Sequence, residues 1–273
     1  MFRLLLSTIA LAATAVSHCT RPGLTEAVDE YLSAQQSGQV SAFKARFDNS
    51  TWLGYFENTK KADVDTGILT HPLVISYNRS LYDTTACATF TEFYVNDLNA
   101  PYVIGTQLRF ANHRINKVDT IITKPGDWLF NITGNMYYAP KENWGTIPEE
   151  KRDSRDTIKK AADAYCDLFN NPNITVPWGA PCNRLEGGLY GGKGLPNDTC
   201  NAGVPSGIDM RNRRYVIDET VGAVDVMLDF GGKSGGLPDS HEFRVEGGKI
   251  RYVHTMTDDA NVVRSCTSRR DEF

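Results

Sequence analysis

The chain repeats itself, and that feature constrains its fold more than any other. Arg79-Ser-Leu-Tyr-Asp83-Thr-Thr-Ala-Cys-Ala88 and Arg214-Tyr-Val-Ile-Asp218-Glu-Thr-Val-Gly-Ala223 share Arg, Asp and Ala at a constant offset of 135. The same offset lays Leu108-Arg109-Phe110 over Phe243-Arg244-Val245, and Ile115-Asn-Lys-Val118-Asp-Thr120 over Ile250-Arg-Tyr-Val253-His-Thr255. Nearer the front of each half, Asp29-Glu-Tyr31 meets Asp163-Ala-Tyr165 at an offset of 134. Four blocks in near-constant register mark a tandem duplication of one structural unit.

Each unit has the same plan. Leu24, Val28, Tyr31 and Leu32 fall at helical spacing in the first half. Ile158, Ala161, Ala162, Tyr165 and Phe169 do so in the second, behind Ser154 as the expected N-cap. A Gly-Ile turn follows in each half (Gly67-Ile68, Gly207-Ile208), then strands over 85–95 and 223–230, 102–110 and 240–245, and 115–123 and 249–257. Asn112-His113 and Gly247-Gly248 sit where hairpin turns belong. A helix followed by antiparallel strands is an α+β unit: the helix covers one face of a curved sheet and leaves a cone-like interior. The expected organisation is a signal peptide over 1–17, a first cone over 18–125, an aromatic linker over 126–155 and a second cone over 156–273. The two cones are expected to pack as a pseudo-dimer. The segment 178–203, rich in Gly, Pro and Asn, reads as a stapled loop and a candidate lid.

The N-terminus carries Arg3, an apolar stretch from Leu4 to Val16, and small residues at Ala13, Ala15 and Ser17, the pattern of a secretory signal. Six cysteines behind such a signal imply disulfides. The preferred pairing is Cys19–Cys87, Cys182–Cys200 and Cys166–Cys266, of which only Cys182–Cys200 is close in sequence. Five sequons, at Asn49, Asn78, Asn131, Asn173 and Asn197, make glycosylation expected. The final Arg270-Asp271-Glu272-Phe273 resembles a relaxed ER-retrieval tail, so the destination is either the ER lumen or the outside of the cell. With 29 basic against 33 acidic residues the net charge is −4, which gives no footprint for nucleic acid. No apolar run is long enough to span a bilayer.

No GxSxG, HExxH, P-loop, Rossmann or EF-hand pattern is present, so neither a metal nor a cofactor is expected. In the strand 240–245, His241 shares a face with Phe243 and Val245. It is either a hydrogen-bonded core residue or a pocket acid/base, with Asp239 placed to orient it. Its counterpart in the first half is Thr106. His254 shares a face with Tyr252 and Met256, and is a further candidate against a structural sheet histidine, with Tyr252 a candidate hydrogen-bond donor beside it. The recurring pairs Arg79/Asp83 and Arg214/Asp218 read as ion pairs bracing each unit, with Arg214 also a candidate donor to a substrate oxygen. Glu219 is a candidate pocket carboxylate. Trp178, Trp128 and Tyr190 are candidates for an aromatic wall around a flat apolar ligand, core packing being the alternative.

Two resemblances stand on these residues. The repeat unit resembles the SnoaL-like (nuclear transport factor 2-like) cone. Nearly the whole chain after the signal is similar to a family of secreted fungal proteins. The segments that carry this are Tyr102-Val-Ile-Gly-Thr-Gln107, Gly126-Asp-Trp-Leu-Phe130, Val176-Pro-Trp-Gly179, Cys182-Asn-Arg-Leu-Glu-Gly187, Asn212-Arg-Arg-Tyr-Val216 and Asp239-Ser-His-Glu-Phe-Arg-Val-Glu-Gly-Gly248. That family includes hetero-Diels–Alderases of tropolone–sesquiterpenoid pathways. The resemblance therefore implies a small apolar substrate and a cycloaddition joining a tropolone o-quinone methide to a humulene-type alkene. The alternatives are a dehydratase or isomerase using a pocket histidine, or a non-catalytic binder of small molecules. SnoaL-like units commonly pair through the open sheet face. A homodimer, or an internal pairing of the two fused units, answers that need.

Overall fold

The structure is a computed structural model that describes residues 19–193, 195–232 and 235–259. The signal segment, Cys266 and the C-terminal tail lie outside these residues. The first half opens with α1 (Arg21–Ser37) and a short α2 (Ser41–Lys44), followed by β1 (Gly54–Glu57), β2 (Lys60–Ala62), β3 (Tyr77–Asp83), β4 (Ala88–Val95), β5 (Tyr102–Ala111) and β6 (Arg114–Thr123). After α3 (Ile132–Tyr138) in the linker come α4 (Arg155–Leu168), β7 (Trp178–Glu186), β8 (Leu189–Gly191), β9 (Met210–Asp218), β10 (Ala223–Phe230), β11 (Leu237–Glu246) and β12 (Lys249–Thr257). The helices start as their residues dictate: Thr20 caps α1 through Gly23 N, and Ser154 caps α4 through Thr157 N.

The two sheets have the same strand order, β2-β1-β6-β5-β4-β3 and β8-β7-β12-β11-β10-β9. The three expected strands of each half run antiparallel, β3 and β9 add a fourth, and β1 and β7 pair parallel to β6 and β12, so both sheets are mixed. The repeat extends to backbone detail. The β5–β6 and β11–β12 ladders are both bulged, at Arg109/Phe110 and at Arg244/Val245. Asn112-His113 and Gly247-Gly248 both take the left-handed conformation that a two-residue hairpin needs, as do Cys87 and Gly222. The segment read as a loop supplies β7 and β8, the counterparts of β1 and β2; β7 holds Gly179 and Pro181 and β8 is three residues long, so neither shows a clear alternation.

Three cores follow from two helix-on-sheet units placed face to face. Tyr31, Phe43, Phe93, Ile104, Leu108 and Val118 fill the first cone under α1. Tyr165, Phe169, Val226, Leu228, Phe243 and Val253 fill the second under α4. Leu81, Phe90, Tyr94, Val216, Met227 and Met256 pack between the sheets. The halves are thus packed on each other rather than strung on a linker.

Ion pairs lock this arrangement, but not the expected ones. Arg79 and Asp83 lie on one extended strand, where residues four apart are too far separated to pair. Asp83 instead pairs with Arg155 of the other half at 2.7 Å, and its Oδ2 accepts from Ile217 N at 2.9 Å. Asp218 pairs with Arg21, and its Oδ2 accepts from Tyr82 N at 3.0 Å. Each half's helix start thus holds the other half's aspartate.

Cys19–Cys87 and Cys182–Cys200 are disulfides with Cα atoms 5.2 Å apart in each. Cys166 is buried without a disulfide partner among the described residues, and its expected partner Cys266 lies outside them. All five sequon asparagines are exposed, as glycosylation requires, although Asn131 also caps α3. No helix among the described residues is long and apolar enough to cross a membrane.

Candidate functional site

Strand alternation sends the odd-numbered residues of β11 into the second cone. His241 and Phe243 therefore point at α4, where Tyr165 meets both rings, at centroid distances of 5.4 and 5.0 Å. Trp178 packs edge-on against Tyr165 at 5.7 Å. Asp239, two residues before His241 and on the same face, brings its Oδ2 to 3.2 Å from His241 Nδ1. The two are out of line for a hydrogen bond. His241 Nδ1, Asp239 Oδ2 and the Tyr165 hydroxyl are all buried with no hydrogen-bonded partner among the described residues. Burial pushes the Tyr165 phenol well above its ordinary value, so it stays a neutral donor. Orphaned polar atoms in an apolar core carry a desolvation cost of roughly 1–3 kcal/mol each. Three in one place mark a candidate site.

The other face of the same strands builds a second polar cluster, at the seam between the sheets. Arg79 pairs with Glu92 at 3.1 Å and with Glu242. His254 reaches Glu92 through Nδ1 at 3.2 Å and Glu142 of the linker through Nε2 at 2.6 Å. Trp144 lies over the Arg79 guanidinium at 3.8 Å, and its indole N–H donates to Glu142 at 2.8 Å. Burial works against the His254 charge, but the Glu142 and Glu92 carboxylates outweigh it and raise its pKa to about 9. Ligand atoms of Glu92, Glu242 and His254 lie within 4.8 Å of one another, a spacing a divalent cation would accept. Arg79 already binds both carboxylates, which does not fit a cation between them.

The other sequence candidates divide between these places. Tyr252 joins His254 beside Trp144, at 5.7 Å. Tyr190 stacks flat on Tyr138 at 4.2 Å. Trp128 is half-exposed and donates to Glu186 at 2.9 Å. Trp178, Trp128 and Tyr190 are therefore not brought together as one wall. Glu219 accepts from Arg155 N at 3.0 Å at the start of α4, and it also lines an open cleft, away from His241. Arg214 lies 2.8 Å from Asp119 at the edge of an open cleft. Sequence reasoning missed Tyr165 as a polar partner of His241. The helical periodicity that placed it in the core hid its hydroxyl.

The expectation of a ready-made apolar cavity is not met, because large side chains fill both cones. Two concavities among the described residues are open surface clefts. One, of about 450 Å3, is lined by Arg109, Arg155, Lys159, Arg213, Arg214 and Tyr215. The other, of about 420 Å3, lies around Arg21, Tyr82, Arg152 and Asp218.

A family model described as a domain of unknown function, DUF8021, matches residues 151–257, the second unit. No curated protein matches the chain. Among solved structures, the chain is similar to an NTF2-like protein of unknown function from Cytophaga hutchinsonii, at 10% identity and a TM-score of 0.30 over 37% of this chain and 89% of that one. At that score the sheet topology described above carries the fold by itself.

Proposed function

We propose that the protein is a cofactor-independent enzyme of fungal secondary metabolism that works on a small, largely apolar molecule in its second cone. The best reading is a hetero-Diels–Alderase that forms and closes a tropolone o-quinone methide. The observation that supports this most is the trio of His241, Asp239 and Tyr165: His241 Nδ1, Asp239 Oδ2 and the Tyr165 hydroxyl are buried without a hydrogen-bonded partner among the described residues, while Asp239 Oδ1 accepts from Thr257 at 3.2 Å. A hydroxytropolone carbinol offers each of them a partner. His241 takes the ring hydroxyl proton and returns it to the departing carbinol hydroxyl. Water leaves and the quinone methide remains, with Asp239 holding the imidazole and Tyr165 donating to the developing carbonyl. Addition of a humulene-type alkene then forms one C–C and one C–O bond and loses no atoms, so it asks only for orientation. Substrate enters when the stretch 195–208, beyond β8, lifts, since Cys200, Val204 and Ile208 pack on this core.

The test is incubation of the glycosylated protein with the carbinol precursor and humulenol. Faster and stereoselective adduct formation is expected, with a loss of about 100-fold in His241→Ala. Rate and stereochemistry unchanged from buffer would overturn the proposal. Tight binding of adduct without turnover would identify a carrier instead.

A further inference from the structure

The 135-residue offset predicts two equivalent clefts beside the seam, and the linker treats them differently. On one side Trp144 lies over Arg79, and Arg244 donates to Gly145 O at 2.8 Å, so the linker is seated between these two arginines. Their repeat counterparts are Arg214 for Arg79 and Arg109 for Arg244. Arg214 and Arg109 line the open cleft of about 450 Å3, with Lys159, Arg213 and Tyr215. Of the linker only its last residue, Arg155, lines this cleft, and it is paired with Asp83 at 2.7 Å.

The charges there are poorly matched. Arg109 donates only to neutral groups, Gln107 Oε1 at 2.6 Å and Tyr215 O at 3.1 Å. Burial, then the nearby Arg214 charge, pull its pKa down. Arg214 Nη2 is buried with no hydrogen-bonded partner, and Nε, though 2.8 Å from Asp119, is out of line for a bond. By contrast Arg213 and Lys159 are matched, to Asp167 at 2.7 Å and to Asp163 at 2.6 Å. The donors left over therefore sit at Arg109, which bonds no acid, and at Arg214 Nη2, on the side where the cleft is unfilled.

We propose that this cleft is a second binding site, for a flat aromatic molecule bearing a carboxylate or similar anion. The ring lies over Arg214 as Trp144 lies over Arg79, and the anion meets Arg109. An arginine pair offers a planar face for stacking and fork-like donors for an oxyanion, which lysines do not. The site is separate from the second cone and does not depend on the reaction assigned there.

Titration calorimetry with 2-naphthoate at low salt tests it, with 2-naphthamide as the ring without the charge and inorganic phosphate as the charge without the ring. Saturable binding of naphthoate at least about tenfold tighter than either comparator is expected. Arg214→Gln and Arg109→Gln should each weaken it about tenfold, and the exposed change Lys159→Gln should weaken it less. Binding should persist in Tyr165→Phe. Equal binding of the amide, equal binding of phosphate, or undiminished binding in folded Arg214→Gln would each overturn the proposal.

Discussion

The two cones share a blueprint and differ in how they treat the same polar position. In the first, the Tyr31 hydroxyl meets Thr106 at 2.6 Å, and Thr106 meets Thr120 at 3.0 Å, so the helix tyrosine is closed off inside the core. In the second, the same tyrosine (Tyr165) faces His241 in place of Thr106, and Asp239 stands where the first cone has Ile104. Tyr165 OH, His241 Nδ1 and Asp239 Oδ2 find no hydrogen-bonded partner among the described residues, Asp239 being held only through Oδ1 by Thr257. A buried group is ordinarily satisfied, and where one is not, stability has been given up locally. The duplication thus offers an internal control: one copy is arranged for stability, the other departs from it at the positions that can move protons.

Where the halves are equivalent, paired changes should behave alike. Asp83→Ala and Asp218→Ala each strip a charge partner and a backbone N–H from the other half. Each should cost roughly 3 kcal/mol in denaturant unfolding. A large inequality between them would break the pseudo-symmetric account of the seam. Where the halves diverge, paired changes should part company. His241→Ala should lower turnover about 100-fold, and Thr106→Ala should leave it nearly unchanged; equal effects would erase the functional distinction between cones.

The seam should respond to pH in a way the cones do not. His254 has its pKa raised to about 9 by the Glu142 and Glu92 carboxylates, against its burial and the neighbouring Arg79. Its contribution is full below the ordinary histidine value near 6.5 and is lost as pH rises through 9. Thermal unfolding should drop by several degrees between pH 6.5 and 9.5, and His254→Gln should lower the midpoint at pH 6.5 and flatten that slope. A slope unchanged in the variant would remove His254 from the seam's energetics. The smallest effect is the sharpest contrast. Tyr31→Phe should cost about 1 kcal/mol by removing a made hydrogen bond, whereas Tyr165→Phe, which removes an unmade one, should be neutral or slightly stabilising while slowing turnover. Calorimetric midpoints of the two variants decide this.

Much of the fold was legible because duplication doubles every weak signal. The β4–β6 pattern read once is ambiguous; read again 135 residues later as β10–β12 it fixes the strands and the hairpin turns between β5 and β6 and between β11 and β12, whereas β3, β9 and the bulges were not read. The strands beyond β6 and β12 in each sheet were not legible. The parallel strand β7 was hidden in a segment rich in Gly and Pro, because it takes its register from β12 rather than from its own alternation. The site was half legible: the alternation that put His241 inward was correct, and Asp239 was placed beside it. The crossed pairs Arg21–Asp218 and Arg155–Asp83 could not be read from spacing, since each joins residues in different halves. The filling of the cones escaped for a related reason. Composition gives the volume of side chains but not the curvature of the sheet they pack against.

The most direct measurement is a crystal structure of the glycosylated protein grown with the tropolone–sesquiterpenoid adduct. The account predicts density for the adduct in the second cone, a ring oxygen within hydrogen-bonding distance of His241 or the Tyr165 hydroxyl, and the first cone closed as before. Adduct found in the first cone, or two cones both packed shut around the same orphaned atoms at saturating adduct, would contradict it.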